Sequence, residues 1–285
     1  MLRRFTYWER EKSGEEWQVE PLTFGKFNLI VGRNAAGKTR LLKAIARVVG
    51  ELSGELKMTT RAVKSDVEVD HGTKVEWACR TQYFPFATGM DFKRQSEDVV
   101  ERLKVASIYQ LGFTRYGALF EERILKQLEQ IGYPMQQISV IGEPVLAIEV
   151  LEKKRARGTP FRRLSQAQQR SLTFITFLTF LALEKSEATV LVDDFAEGLD
   201  FDSARKLTRL VWEGFAESKL QFIVSSNDRY VMNTVPLEHW TVLAEEGNTT
   251  RVFNYANSKE KFDEFKFTGL SNFDFFSMEF TRDAE

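Results

Sequence analysis

Cysteine and histidine are scarce in this sequence. The 285 residues include one cysteine, Cys79, and two histidines, His71 and His239. A single cysteine excludes an intramolecular disulfide and is typical of proteins in a reducing compartment, so we expect a cytoplasmic protein. Two histidines are too few for a histidine-rich metal site.

Long apolar runs are missing as well. The longest, from Leu172 to Leu183, contains three threonines, and it is shorter than the ~20 residues that cross a bilayer. Near the start, Arg3, Arg4 and the charged run from Glu9 to Glu16 leave no apolar segment for a signal peptide. We therefore expect no membrane partner, and the apolar run reads as a buried helix.

The net charge of the chain is also close to zero. The 40 lysines and arginines balance 41 acidic residues, which leaves a net charge of −1 at pH 7. No overall basic field therefore attracts the chain to DNA or to an anionic membrane. Any contact with nucleic acid must be local or made through a partner.

What the chain does contain is a phosphate-binding loop. An apolar run from Phe27 to Val31 leads into residues 32–39, which read G-x-x-x-x-G-K-T, and an amphipathic helix pattern follows. Strand, loop and helix in this order predict a nucleoside triphosphate site, because the glycines let successive N–H groups point at one anion. Lys38 is placed for the β- and γ-phosphates, and the Thr39 hydroxyl for Mg²⁺. The expected nucleotide contacts are Gly32, Arg33, Asn34, Ala35, Ala36, Gly37, Lys38, Thr39 and Arg40.

A strand that ends in two acidic residues is predicted from Thr189 to Asp194. A carboxylate at the tip of a strand beside the phosphate loop is an oxygen ligand for Mg²⁺, and Asp193 fits that role. Asp194 is placed to orient or deprotonate the attacking water. Taken alone, the two acids could instead cap the next helix, but the upstream loop favours the metal site.

A polar segment, residues 164–170 (L-S-Q-A-Q-Q-R), precedes the apolar helix. Ser165 is suited as a helix N-cap whose hydroxyl can also face an anion. The alternative is an ordinary Ser-x-x-Gln capping box with Gln168.

The order of these motifs resembles that of ABC-type ATPases. Residues 164–168 are similar to the signature motif L-S-G-G-Q, and Glu197 to Asp200 to the D-loop. Asn227, after a predicted strand from Leu220 to Val224, stands where the family has its switch histidine. The resemblance implies an α/β P-loop NTPase with a mostly parallel central sheet, an N-terminal antiparallel β portion and an inserted helical subdomain.

The resemblance also implies ATP and Mg²⁺ as cofactors and a homodimer or higher oligomer. Each nucleotide would lie between the phosphate loop of one copy and the signature of the other, with contacts from Ser165, Gln168 and Asp200. The family's Q-loop glutamine, a metal ligand, is assigned to Gln82 after a strand that ends at Arg80. Gln110 is the alternative, and either could be an ordinary surface residue.

Three departures from the family pattern affect the chemistry. Asp194 replaces the usual catalytic glutamate and is one methylene shorter, so turnover is expected to be slow. Asn227 can donate to a γ-phosphate but cannot take up a proton. Gln166 and Ala167 replace glycines. The replacements restrict the backbone conformations of the segment but keep its N–H donors.

The N-terminal part resembles the soluble SMC, RecF and OLD branch, which acts in chromosome maintenance, DNA repair and anti-phage defence. A hairpin is predicted from Phe5 to Val19, and residues 21–34 lead into the loop with the G-x-N spacing of that branch. Phe195 replaces a proline that is common in transporters. No sustained heptad run predicts coiled-coil arms. A transporter subunit is the less favoured alternative.

We expect a single head domain, residues 1–285, with four segments. Alternation at residues 63–69 and 75–79 predicts antiparallel strands, and helices are predicted at 97–105 and 118–131. The segments are 1–50 (hairpin, P-loop and first helix), 51–160 (inserted subdomain), 161–255 (signature to switch) and 256–285 (phenylalanine-rich tail).

Two surfaces have open interpretations. The tail phenylalanines either pack on the core or anchor a second chain. The cluster Arg155, Arg157, Arg162 and Arg163 is a solvated face or a nucleic-acid contact. We expect an ATPase that regulates a separately encoded nuclease or toxin, because the sequence holds no second catalytic constellation. The alternative is a non-hydrolysing, nucleotide-dependent scaffold.

Overall fold

The computed structural model describes residues 1–10, 13–52, 62–69, 80–85, 105–142, 147–153, 156–266 and 268–279. The elements, in chain order, are β1 (Leu2–Arg10), β2 (Glu16–Thr23), β3 (Phe27–Gly32), α1 (Lys38–Leu52), β4 (Ala62–Val69), β5 (Arg80–Pro85), α2 (Val105–Tyr116), α3 (Ala118–Gln130), β6 (Met135–Ile141), β7 (Ala147–Glu152), β8 (Thr159–Pro160), α4 (Gln166–Leu183), β9 (Ala188–Asp193), α5 (Phe201–Gly214), β10 (Leu220–Ser225), α6 (Arg229–Thr234), β11 (Trp240–Glu246), β12 (Thr249–Asn254), α7 (Lys259–Lys266) and α8 (Asn272–Glu279).

The chain divides into two compact units. The first comprises Met1–Ala87, Glu187–Glu197 and Lys219–Glu285, and the second comprises Thr88–Ser186 and Gly198–Ser218. The four segments expected from the sequence, with boundaries at residues 50, 160 and 255, stay a prediction. The predicted P-loop and acidic strand lie in the first unit, whereas the signature lies in the second.

Among its described residues, the first unit contains a nine-stranded mixed sheet, in the order β4-β1-β2-β12-β11-β3-β10-β9-β5. The run β11-β3-β10-β9-β5 is entirely parallel, and β1 pairs antiparallel with β2 and β4. Every residue of β3, β9 and β10 is buried. Burial on both faces is what near-continuous apolar runs predict for parallel strands. The expected fold class, including the antiparallel N-terminal portion, is confirmed.

Parallel pairing brings the C-terminal ends of β3, β9 and β10 to one edge of this sheet. In the ladders, Ser225 of β10 pairs with Ile30 of β3, and Val224 pairs with Val192 of β9. The backbone N–H of Ser226 continues the contact by donating to the carbonyl of Ile30 at 3.1 Å. The segments that follow these strands therefore lie side by side.

Helix α1 packs its apolar face against this sheet. Leu41, Leu42, Ile45 and Val48 are buried in one cluster with Leu191 of β9, Ile223 of β10 and side chains of the β1–β2 hairpin. The apolar spacing in the sequence predicted this face. This buried face holds α1 against the sheet, with its N-terminus directly after the P-loop.

The strands β4 and β5 differ in part from expectation. β4 spans the strand predicted at residues 63–69 and pairs antiparallel with β1, whereas β5, which begins at Arg80, is parallel to β9 and belongs to the central sheet. Gln82 therefore lies within a strand, opposite Val190, rather than after a strand that ends at Arg80. Residues 75–79, with Cys79, and residues 97–104 lie outside the described part of the chain.

The second unit contains four helices and a three-stranded sheet, β6-β7-β8, among its described residues. The predicted helix at residues 118–131 is α3, and the apolar run is the C-terminal part of α4, with Leu172, Ile175 and Leu178 fully buried. Within the described ranges, no helix combines the length and the apolar character needed to cross a membrane.

The phenylalanine-rich tail packs on the first unit. Phe262 and Phe275 are fully buried and Phe265 is 7% exposed. The ring of Phe275 lies 4.8 Å from those of Phe262 and Phe265 and 6.4 Å from that of Trp240 on β11. Burial excludes these three as surface anchors for a partner. Phe267 and Phe280 lie outside the described residues.

Candidate nucleotide-binding site

The P-loop wraps around the ammonium group of Lys38. Its Nζ donates to the carbonyls of Gly32 at 2.7 Å and Arg33 at 3.0 Å, and the side chain is nearly buried. Burial lowers the pKa of Lys38, and the charges of Asp194 and Asp193 oppose that shift. The cation is thus held at the loop where the phosphates of a nucleotide would bind.

Two glycines are required by the shape of this loop. A Cβ on Gly32 would lie 2.8 Å from the carbonyl oxygen of Leu243, and Gly37 has a φ of +86°. Ala35 also has a positive φ of 69°. The close approach at Gly32 and the left-handed turn at Gly37 therefore explain the two fixed positions of the motif.

Asp193 lies at the end of β9 and is held by a serine that the sequence argument did not single out. The Ser225 hydroxyl donates to Asp193 Oδ1 at 2.6 Å and accepts from the backbone N–H of Asp194 at 2.9 Å. Ser225 is fully buried and Asp193 is nearly so. The hydroxyl therefore fixes one carboxylate oxygen of the expected metal ligand. Its position at the end of a strand parallel to β9 was the signal that could have revealed it.

Asp194 adopts an unusual backbone conformation for a non-glycine residue, with a φ of 51°. Burial, followed by the charges of Asp193 and Glu197, raises the pKa of its carboxyl, and Lys38 opposes the shift. A strained backbone and a raised pKa are common features of catalytic groups.

Asn227 reaches the P-loop from the segment after β10. Its Nδ2 donates to Asn34 Oδ1 at 3.0 Å. The predicted switch residue and the phosphate loop are thus brought together within the first unit, as the motif order implied.

Lys38, Asp194 and Asn227 border one cavity of about 720 Å³. This volume is within the ~300–1,000 Å³ that small-molecule sites occupy. Its lining is Tyr7, Glu9, Asn34, Ala35, Gly37, Lys38, Thr39, Arg40, Lys43, Ala44, Arg47, Asp194 and Asn227.

An ion-pair cluster around the buried Glu9 forms one wall of the cavity. The side chain of Glu9 is 4% exposed and accepts from Arg40 at 2.8 Å and from the Tyr7 hydroxyl at 2.9 Å; Arg47 lies 3.4 Å away. Burial favours a higher pKa for Glu9, but the hydrogen bonds from Arg40 and Tyr7 outweigh it and the pKa is lowered. Burial and Glu9 together raise the pKa of Tyr7 to about 12. Sequence reasoning missed Glu9, because an acid in an alternating strand carries no motif.

The hairpin aromatics do not offer an open ring to a nucleotide base. Phe5 is fully buried and does not border the cavity. Tyr7 borders it, but the ring is 2% exposed and packs against Phe5 and Trp17, with centroids 5.8 and 5.5 Å apart. This burial excludes Phe5 as a ring on which a base could stack.

The signature segment, in the second unit, forms a helix cap. Ser165 Oγ accepts from the N–H of Gln168 at 3.2 Å, and the Gln168 side chain accepts from the N–H of Ser165 at 3.0 Å. The capping box is therefore formed in the single chain, and Ser165 is exposed. Contacts of Ser165 and Gln168 with a nucleotide stay predictions.

Asp200 is likewise an N-cap. Its carboxylate accepts from the N–H groups of Asp202 and Ser203, both at 3.1 Å, and from the Ser203 hydroxyl at 2.7 Å. The bond from the Ser203 hydroxyl is the main reason that the pKa of Asp200 is lowered. Its role at a dimer interface stays a prediction.

The residues fit a magnesium ion that is shared with phosphates. No group of three histidine, cysteine or acidic side chains that could hold a metal occurs among the described residues. Mg²⁺ instead needs few protein oxygens, and the Thr39 hydroxyl and the buried carboxylate of Asp193 would supply them, a role that stays a prediction. Gln82 adjoins β9 through its backbone, and its metal role stays a prediction.

The predicted basic cluster is partly described. Arg157, Arg162 and Arg163 are exposed, whereas Arg155 lies outside the described residues. Arg157 and Arg163 border a second cavity, of about 690 Å³, within the second unit.

Comparison with known proteins identifies the fold. No protein-family model and no curated protein matches the sequence. An SMC head bound to the C-winged helix domain of ScpA has a TM-score of 0.60 and 13% identity, over 91% of this chain and 98% of that one. An SMC head with an extended coiled coil from Pyrococcus furiosus, bound to the C-terminal domain of ScpA, has a TM-score of 0.56 and 13% identity, over 93% and 100%. The protein therefore has the P-loop α/β fold of SMC heads.

Proposed function

We propose that this protein binds ATP with Mg²⁺ in the P-loop cavity and hydrolyses it slowly. The observation that carries the proposal is the nearly buried Lys38 ammonium at a cavity that also presents Asp194 and Asn227. Backbone N–H groups and Lys38 bind the phosphates, and Thr39 and Asp193 hold the metal ion, which offsets negative charge on the phosphates.

The hydrolytic step is assigned to two residues at this cavity. Asp194 orients the attacking water and accepts its proton. Asn227 exchanges its bond with Asn34 for one to the γ-phosphate. Because Asp194 is shorter than glutamate and sits on a strained backbone, the water is held less firmly and turnover is slow.

We further propose that two copies dimerise around ATP. Ser165, Gln168 and the N-terminus of α4 in one copy contact the nucleotide held by the P-loop of the other, with Asp200 at the interface. Support comes from the exposure of Ser165 at a helix N-terminus, where backbone N–H groups favour an anion. ATP then links the copies, and hydrolysis releases them.

The dimer regulates a separately encoded effector, a nuclease or toxin, in anti-phage defence or DNA repair. Among the described residues, no metal-binding cluster provides a second catalytic centre. The SMC heads with similar folds were captured with ScpA, which supports a partner protein as the output. The exposed arginines before the signature are available for a local nucleic-acid contact.

A phosphate-release assay on wild type and Asp194→Asn tests the hydrolytic proposal. The isosteric change removes the base, so the rate is expected to fall by about 10²–10⁴-fold while ATP binding persists. Equal, near-zero rates with intact ATP binding would instead favour a non-hydrolysing scaffold, which the short, strained Asp194 makes the second candidate.

A further inference from the structure

Arg170 brings the signature segment and the D-loop into contact within the second unit. It lies in the N-terminal part of α4, whose N-cap is Ser165. A Cβ on Gly198 would lie 2.7 Å from Arg170 Nη1 and 3.8 Å from its guanidinium carbon. No side chain would fit at this position unless the guanidinium moved, so the end of the Arg170 side chain lies against the backbone of Gly198.

Residues 198–200 of the D-loop are fixed at both ends. Gly198 has a φ of +78°, a left-handed conformation that favours glycine, and the guanidinium of Arg170 lies beside it. At the other end, Asp200 caps α5 by accepting from two backbone N–H groups of its first turn. The contact with α4 and the cap of α5 therefore hold this short segment between two helices.

We propose that Arg170 is a positioning residue that keeps the signature segment and the D-loop in a fixed relation, so that one copy presents both to the nucleotide held by the other. This inference rests on the proposed dimer around ATP and names the residue that organises its second surface. Arg170 acts through the backbone of Gly198, and this role requires no contact between its own side chain and the nucleotide.

A fixed relation between the two segments lowers the cost of forming the dimer. Association otherwise includes the cost of ordering loops at the interface. The P-loop, with Lys38, belongs to the first compact unit, whereas Arg170 and Gly198 belong to the second. Loss of their contact should therefore weaken dimerisation and leave ATP binding by a single chain unchanged.

Sedimentation in ATP and Mg²⁺ tests this role with Arg170→Ala, Gly198→Ala and the double variant. Each single change is expected to raise the Kd of the dimer about tenfold, because one removes the guanidinium and the other puts a methyl group in its place. Since both changes remove the same contact, the double variant should exceed the weaker single variant in Kd by less than about twofold. Arg162→Ala, which removes an exposed arginine just before the signature, is the charge-matched control.

Calorimetric titration with ATP, at protein concentrations that keep each variant monomeric, measures binding to a single chain. Unchanged dimerisation of Arg170→Ala would overturn the inference, as would losses that add in the double variant or an equal loss of ATP binding by the monomer. Wild type that bound ATP and stayed monomeric would overturn the proposed dimer itself. Thermal unfolding shows whether each variant is folded. Gly198→Ala adds strain at a positive φ, whereas Arg170→Ala leaves the backbone unchanged, so the arginine variant decides if Gly198→Ala does not fold.

Discussion

The P-loop cavity and the signature segment are both polar sites at helix N-termini. They differ in how far their side chains are buried and bonded within one chain. At the cavity, Lys38 is 8% exposed, Asp193 is 4% exposed, and Ser225 bonds directly to Asp193. In the signature, Ser165 is exposed, and its hydroxyl accepts from the N–H of Gln168 in its own capping box. The difference teaches that a buried, charged site reveals its ligand class in a single chain, whereas the exposed signature segment reveals only its role as a helix cap.

The largest effect is expected from Lys38→Ala. Removal of a nearly buried cation from the loop eliminates charge-assisted hydrogen bonds to the phosphates, so the Kd for ATP should rise about 100-fold. Calorimetric titration measures this Kd. Lys219→Ala is the control, because Lys219 forms an exposed pair with Glu187 and does not border the cavity. Unchanged affinity would contradict the assignment of the cavity.

Ser225→Ala is expected to have an intermediate effect. Loss of the hydroxyl frees Asp193 Oδ1 from its orienting bond, so the Mg²⁺ concentration for half-maximal phosphate release should rise about tenfold. Ser226→Ala is the matched control, because this buried neighbour donates to the carbonyl of Phe195 instead. A similar shift in both variants would mean that only stability had changed.

The smallest effect concerns the wall of the cavity. Glu9→Gln should lower the free energy of unfolding by about 1–2 kcal/mol at pH 7, because the buried carboxylate accepts charge-assisted bonds. The pKa of Glu9 in the folded protein is below its ordinary value of 4.5. The advantage of wild type is therefore complete above about pH 4.5 and is lost as the pH falls through the folded-state pKa. Denaturant unfolding at several pH values measures the difference, and a pH-independent difference would exclude this linkage.

The sequence predicted the fold and the P-loop half of the site because local patterns encode them. The apolar runs of β3, β9 and β10 are buried on both faces, and the G-x-x-x-x-G-K-T spacing sets the turn at Gly37. Motif order then placed Asp194 and Asn227 beside Lys38, since parallel strands carry their following loops to one edge.

The remaining features depend on long-range pairing that no local pattern encodes. The Glu9 cluster joins β1 to α1, and β5 pairs in parallel with β9 in the central sheet. Ser225 looked like part of a polar loop until its strand was paired with β9. The phenylalanines of the tail had two interpretations because phenylalanine is common both in cores and at interfaces, and burial decided the matter for Phe262, Phe265 and Phe275.

Dimerisation of wild type and Ser165→Asp in ATP and Mg²⁺ tests the central claim of a shared nucleotide most directly. Aspartate caps a helix as well as serine does, so α4 should stay intact, while its charge repels the triphosphate of the other copy. Ser165→Thr, which keeps the hydroxyl, is the control. We predict that sedimentation shows an ATP-dependent dimer for wild type and Ser165→Thr, and a monomer that still binds ATP for Ser165→Asp. Equal dimerisation of Ser165→Asp and wild type would contradict the account.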